Sequence, residues 1–146
     1  MKKIQVVLSI TFFIIVTACN QQVQPKKQEQ SIMYEPTPLA LLMLKMHGDA
    51  LGWKGAIENE NFQATFPEDY YGIYTVEATD PAVRNEVFIE RADQYLASVE
   101  ELLGVEKKIE QVEKFNLVIS ACVDCHAIFC QGPIDKIEKL YFADAD

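Results

Sequence analysis

The sequence predicts an all-α protein: an up-and-down bundle of three to four helices, with a Cys-x-x-Cys-His motif in the last long helix and a short helix after it. Three observations predict this. Three long segments carry apolar residues at alternating spacings of three and four, the period of a helix with one buried face. Proline, glycine and capping residues bracket those segments where helices start and stop. No segment reads clearly as a sheet, and no internal repeat is present.

The first 18 residues are an export signal rather than part of the fold. Lys2 and Lys3 form a positive start, residues 4–16 are mostly apolar, and Thr17 and Ala18 are small. The apolar run is short for a membrane span. Residues 16–19, VTAC, resemble a bacterial lipobox, which implies cleavage before Cys19 and lipid on that residue. Several acyl chains would anchor firmly where one gives only marginal binding. A plain secretory signal with a chance cysteine is the competing reading. Residues 19–32 are polar and glutamine-rich, a tether that cannot bury enough surface to order itself. Asn20 is not the Asp that resembles an inner-membrane retention signal, so the expected location is the cell envelope, periplasm-facing, at the outer membrane. Residues 33–146 form one helical domain, long enough for a real core.

Within that domain Thr37 is a cap candidate and Pro38 suits the first helical position. Leu39, Met43, Met46, Ala50, Trp53 and Ile57 then form one apolar seam. Gly48, Gly52 and Gly55 lie on another face. They predict either close approach by a flat group or a neighbouring backbone, or a helix that frays after His47. An aromatic-rich connection follows, with room for one brief helix around residues 67–74. The second long helix is expected after Asp80 and Pro81, with Phe88, Ala92, Tyr95, Val99 and Leu102 as its seam and Gly104 as its end. The third spans about 105–129, with Val112, Phe115, Ile119, Cys122, His126 and Phe129 on one face. Gly132 stops it and Pro133 starts a short helix carrying Ile134, Ile137, Leu140 and Tyr141.

The formal charge is −9; loss of the signal leaves 11 basic against 22 acidic residues, or −11. Such a surface is a poor partner for nucleic acid and suits basic protein partners or simple solubility. Of the four cysteines, Cys19 is taken if it carries lipid. The remaining Cys122, Cys125 and Cys130 are an odd number for an oxidising compartment, which argues against a disulfide framework.

CVDCH, residues 122–126, therefore needs another account. On a helix Cys122 lies three residues from Cys125 and four from His126, so all three share a face. Covalent haem attachment uses this arrangement: two thiols take the vinyl groups along one edge of the porphyrin, and the adjacent histidine supplies an axial nitrogen to iron. Zinc would want four ligands, and Cys130 completes a Cys3His set only by crowding all four onto one helix. A thioredoxin-like couple belongs to a strand-to-helix context. Buried free thiols with a satisfied core histidine are the plain structural alternative. Cys130 itself reads as a small buried hydrophobe, or as a second-metal or redox thiol.

A helical domain with its CxxCH in the last long helix and methionines in the first resembles the class II cytochromes c, the cytochrome c-prime and c-556 group. The similarity spans roughly residues 36–129. It implies one covalent haem c on Cys122 and Cys125, with His126 as axial ligand. It implies an electron carrier rather than an enzyme, with redox proteins as partners; the membrane tie through lipid is what the lipobox resemblance implies. Relatives in that class often dimerise, so a homodimer is also expected. The family has a Met near M-K-x-x-G in its first helix; aligned on Gly48, LKMHG puts Leu44 there. Leu44 is off the seam, so Met43 is the expected sixth ligand, Met46 the second choice, and His47 a surface residue. Core packing is the competing role for both methionines. Two departures stand out: Cys130 replaces the arginine that usually follows the haem histidine, and the family's second helix is short or missing. With no sixth ligand, the same haem would bind NO or CO. A haem-free zinc or thiol lipoprotein is the third reading.

Overall fold

A computed structural model describes residues 35–143. The predicted export signal, Cys19 and the whole predicted tether lie outside the described residues. All described regular structure is helical. Three long helices carry it: α1 (Pro38–Glu58), α2 (Glu86–Leu103) and α3 (Lys108–Phe129), followed by the single turn α4 (Ile134–Ile137). Short 3-10 segments occupy Glu68–Tyr74, Pro81–Val83 and Glu138–Leu140. No described helix is long and apolar enough to cross a membrane.

Local signals set most boundaries. Pro38 opens α1 as expected, but Thr37 does not cap it through its side chain. Its hydroxyl instead lies 3.1 Å from that of Thr79, tying the start of α1 to the returning connection. α1 does not fray after His47; it runs through all three glycines to Glu58. A side chain at Gly48, Gly52 or Gly55 would meet nothing within 4 Å, so no backbone approaches them either. Asp80 and Pro81 open a single 3-10 turn, with Asp80 accepting from Ala82 N, rather than the long helix. α2 begins five residues later, where Asn85 Oδ1 accepts from Phe88 N at 3.0 Å. Asparagine wins because its side chain reaches the unpaired amides of the first turn. Gly104 caps the end of α2. α3 starts at Lys108, three residues later than predicted. The intervening loop is held by Gln111, whose buried amide donates to the carbonyls of Val105 and Glu106 at 3.2 and 3.1 Å.

The direction of the chain follows from contacts between elements. Lys108 at the start of α3 reaches Glu58 O and Glu60 Oε1 at the end of α1, at 3.3 and 2.9 Å. Phe129 at the end of α3 packs edge-on against Phe88 at the start of α2, with centroids 5.5 Å apart. Both α1 and α2 thus run antiparallel to α3. The downward leg between α1 and α2 is the connection, residues 59–85. It descends along α1 by successive contacts: Phe62 with Trp53, Tyr70 with Asp49, and Glu77 O with Leu39 N. Aromatic rings and 3-10 turns do there what a second helix does in a four-helix bundle.

The core gathers the predicted seams. Phe88, Ala92, Tyr95, Val99 and Leu102 of α2 are all buried, as are Met46, Ala50 and Ile57 of α1 and Phe115 and Ile119 of α3. Leu39, Met43, Trp53, Val112, Cys122 and Phe129 pack at its edge. Leu42, Leu96 and Val118 are also buried, which widens each seam to the broader stripe of a globular helix. Ile137 and Leu140 close one side.

Candidate haem-type cleft

The end of α3 carries the motif, and α1, α2 and α4 wall it in. Cys122, Cys125 and His126 line one cleft with Met43, Met46 and His47 of α1. Arg91 and Tyr95 of α2 and Ile137 and Leu140 at the tail complete it. About 570 Å³ of space lies between these atoms, part of it open to solvent. The wall is mainly apolar, as ligand clefts are.

The two thiols sit in different surroundings. Burial, and then the neighbouring Cys125, push the Cys122 thiol up to about 12. Burial also raises Cys125, against a downward pull from the Arg91 guanidinium. Both are therefore held as neutral thiols. Neither is in a disulfide.

His126 is oriented by its own helix end. Its Nδ1 lies 2.9 Å from the carbonyl oxygen of Cys130. A carbonyl only accepts, so Nδ1 carries a hydrogen, and in the neutral ring the lone pair lies on Nε2. α3 stops at Phe129, and the extended backbone of Cys130, φ −161° and ψ 85°, presents that carbonyl. This is the usual support of a metal-binding histidine, which fixes tautomer and ring direction together. Cys130 is exposed, not a buried hydrophobe, and contributes here through its backbone.

On α1, Met46 is 5% exposed and Met43 packs at the core edge, while Leu44 is 63% exposed. A sulfur facing the cleft therefore comes from Met43 or Met46, and Leu44 points away. His47, expected at the surface, is half-buried and lines the cleft. The helix turns it beside Met43, four residues back, so the broader stripe includes it. Gly48, Gly52 and Gly55 are not part of this wall.

Sequence reasoning missed Arg91 and undervalued Tyr95. Arg91 lies four residues before Tyr95, on the flank of the α2 seam, a spacing that could have found it. Tyr95 is buried, which holds its phenol well above its ordinary range, and Cys122 adds to the shift. Tyr95 stacks obliquely on Tyr70, centroids 6.0 Å apart. Tyr70, also raised by burial and then by Asp49, donates to Asp49 Oδ2 at 2.9 Å. Lys45 holds that same oxygen at 2.7 Å.

Among the described residues no three His, Cys, Asp or Glu side chains converge as a site for a bare metal ion. The Cys3His zinc set has no supporting geometry there. Comparison with protein-family models, curated proteins and solved structures finds no match to this chain.

Proposed function

We propose that this chain is a lipid-anchored, periplasm-facing monohaem c-type cytochrome of the class II kind, carrying single electrons between redox proteins. One observation carries the reading. Two neutral thiols and a histidine with its Nε2 free share an apolar cleft with two methionines of the facing helix.

The donor chemistry fits a covalent haem. Cys122 and Cys125 would hold it along one edge, His126 would bind iron through Nε2, and Met43 would supply the sixth ligand, with Met46 the alternative. A macrocycle brings four of the iron's ligands itself, so no cluster of protein ligands is required. When bound, the haem supplies a one-electron ferrous/ferric couple that needs no bond made or broken in a substrate. The chain's own contribution is an apolar wall, an oriented histidine and an acidic exterior that suits a basic partner surface.

The test is expression of the exported chain with a cytochrome c maturation system, then a denaturing gel stained for haem and an optical spectrum. Covalent haem is expected, lost in a Cys122→Ser/Cys125→Ser variant, with a low-spin spectrum. No covalent haem in the wild type would sink the reading. A high-spin spectrum with rapid carbon monoxide binding by the reduced form would favour gas binding over electron transfer.

A further inference from the structure

We propose that Arg91 is the carboxylate anchor of the cleft, gripping a propionate of the bound tetrapyrrole through the Nε edge of its guanidinium. This rests on the haem reading above. Three features of the structure converge on it.

The first is an unmet donor. Arg91 Nε is buried with no hydrogen-bond partner, the one such side-chain nitrogen or oxygen among the described residues. Buried polar groups in native proteins are nearly always partnered, and a charged donor most of all. The second is the way the rest of the side chain is tied. Nη1 donates to Gln94 Oε1 at 2.8 Å, and Gln94 in turn donates to Glu90 at 3.2 Å. Nη1 lies outside the fork formed by Nε and Nη2, the edge that takes a carboxylate through two parallel bonds. The bond to Gln94 thus steadies the arm and leaves that fork intact.

The third is the charge of the wall. In a chain with 22 acidic residues, no Asp or Glu lines the cleft, and Arg91 is the one Lys or Arg that does. An apolar cleft with one cation and no carboxylate is matched to a flat apolar body bearing an acid group. A tetrapyrrole with propionates is such a body. Lysine would place a point charge there; arginine adds the planar fork.

Two measurements test this on the mature chain, with Arg91→Gln and Arg91→Lys alongside the wild type and helicity checked for each. In the haem-loaded protein, Arg91→Gln is expected to keep covalent haem, since Cys122 and Cys125 are untouched. Its midpoint potential should fall, because a carboxylate left without its cation favours the ferric state. The expected shift is about tenfold in the reduction equilibrium, ~59 mV for one electron. An unchanged potential would overturn the proposal.

The second measurement uses unloaded protein and metal-free protoporphyrin IX, compared with its dimethyl ester by fluorescence titration. His126 and the methionines have no metal to bind, so the acid groups alone distinguish the two probes. The wild type should bind the free acid about tenfold more tightly. Arg91→Gln should lose that preference and Arg91→Lys should recover part of it. Equal binding of acid and ester, or binding of neither, would overturn the role of Arg91. If the wild type never acquires covalent haem, the cytochrome reading fails by itself, and this second measurement still decides whether Arg91 recognises a carboxylate.

Discussion

Met43 and Met46 line the same cleft, and alanine at each separates ligation from packing. Met46 is 5% exposed and deep in the core. Its truncation leaves a cavity between α1 and its neighbours and should cost about 2–5 kcal/mol. Met43 packs at the core edge. It is partly buried, less so than Met46, so its truncation should cost about 1–3 kcal/mol, less than at Met46. In the haem-loaded protein the order of effects reverses if Met43 is the ligand. Met43→Ala should turn the spectrum from low-spin to high-spin and open the iron to carbon monoxide. Met46→Ala should leave the spectrum unchanged. Urea unfolding of the unloaded chains measures the first quantity, and ferric and ferrous spectra of the loaded chains measure the second. A high-spin Met46→Ala with a low-spin Met43→Ala would refute the assignment. If neither variant changes spin state, His47, which also lines the cleft, becomes the residue to replace.

Gly48→Ala, Gly52→Ala and Gly55→Ala meet no neighbour within 4 Å. Each should therefore stabilise α1 by about 0.5–1 kcal/mol, and the triple variant should raise the thermal midpoint by roughly 5 °C or more; a fall would mean that this face is covered in solution. Tyr70→Phe removes the buried donor to Asp49, which keeps its bond to Lys45. The expected loss is about 1–2 kcal/mol in denaturant unfolding, and no loss would mean the hydroxyl contributes nothing to the core. In the unloaded chain the Cys122 thiol rises from 9.0 to about 12 on folding. The folded state then keeps a proton that the unfolded state gives up, so this contribution is present below pH 9 and is lost as pH climbs from 9 towards 12. Tyr70 and Tyr95 add alkaline loss of the same sign. The measurement is thus the difference between wild type and Cys122→Ala in urea midpoint at pH 8 and 10.5. That difference should vanish once Cys122 is a thioether, which carries no proton.

The helical bundle was legible because the seams are regular. Every residue predicted on the α2 seam is buried, and the spacing of Cys122, Cys125 and His126 alone puts them on one face. Capping was read less well. Asp80-Pro81 and Asn85 both look like helix starts, and the choice between them depends on where the connection packs. The three glycines were misread because local rules assume that an expensive residue is matched by a neighbour, and here none is present. Arg91 and His47 escaped for a related reason: both fall off the narrow predicted seams, and the breadth of the buried stripe brings them to the cleft. The Cys130 carbonyl could not have been found from side chains, since its role depends on where α3 ends.

The antiparallel pairing of α1 and α3 gives the cleft a mechanical character. At one end the helices are clipped by Lys108 to Glu58 and Glu60. At the other, fifteen residues along α1, Met43 faces the cleft with His126. At 1.5 Å per residue this is a lever of about 22 Å. Inserting a flat ring separates two packed surfaces by one further contact distance, about 3.5–4 Å. A rotation of about 10° about the clipped end supplies that gap. A planar guest would therefore call for only a small change of angle about that end.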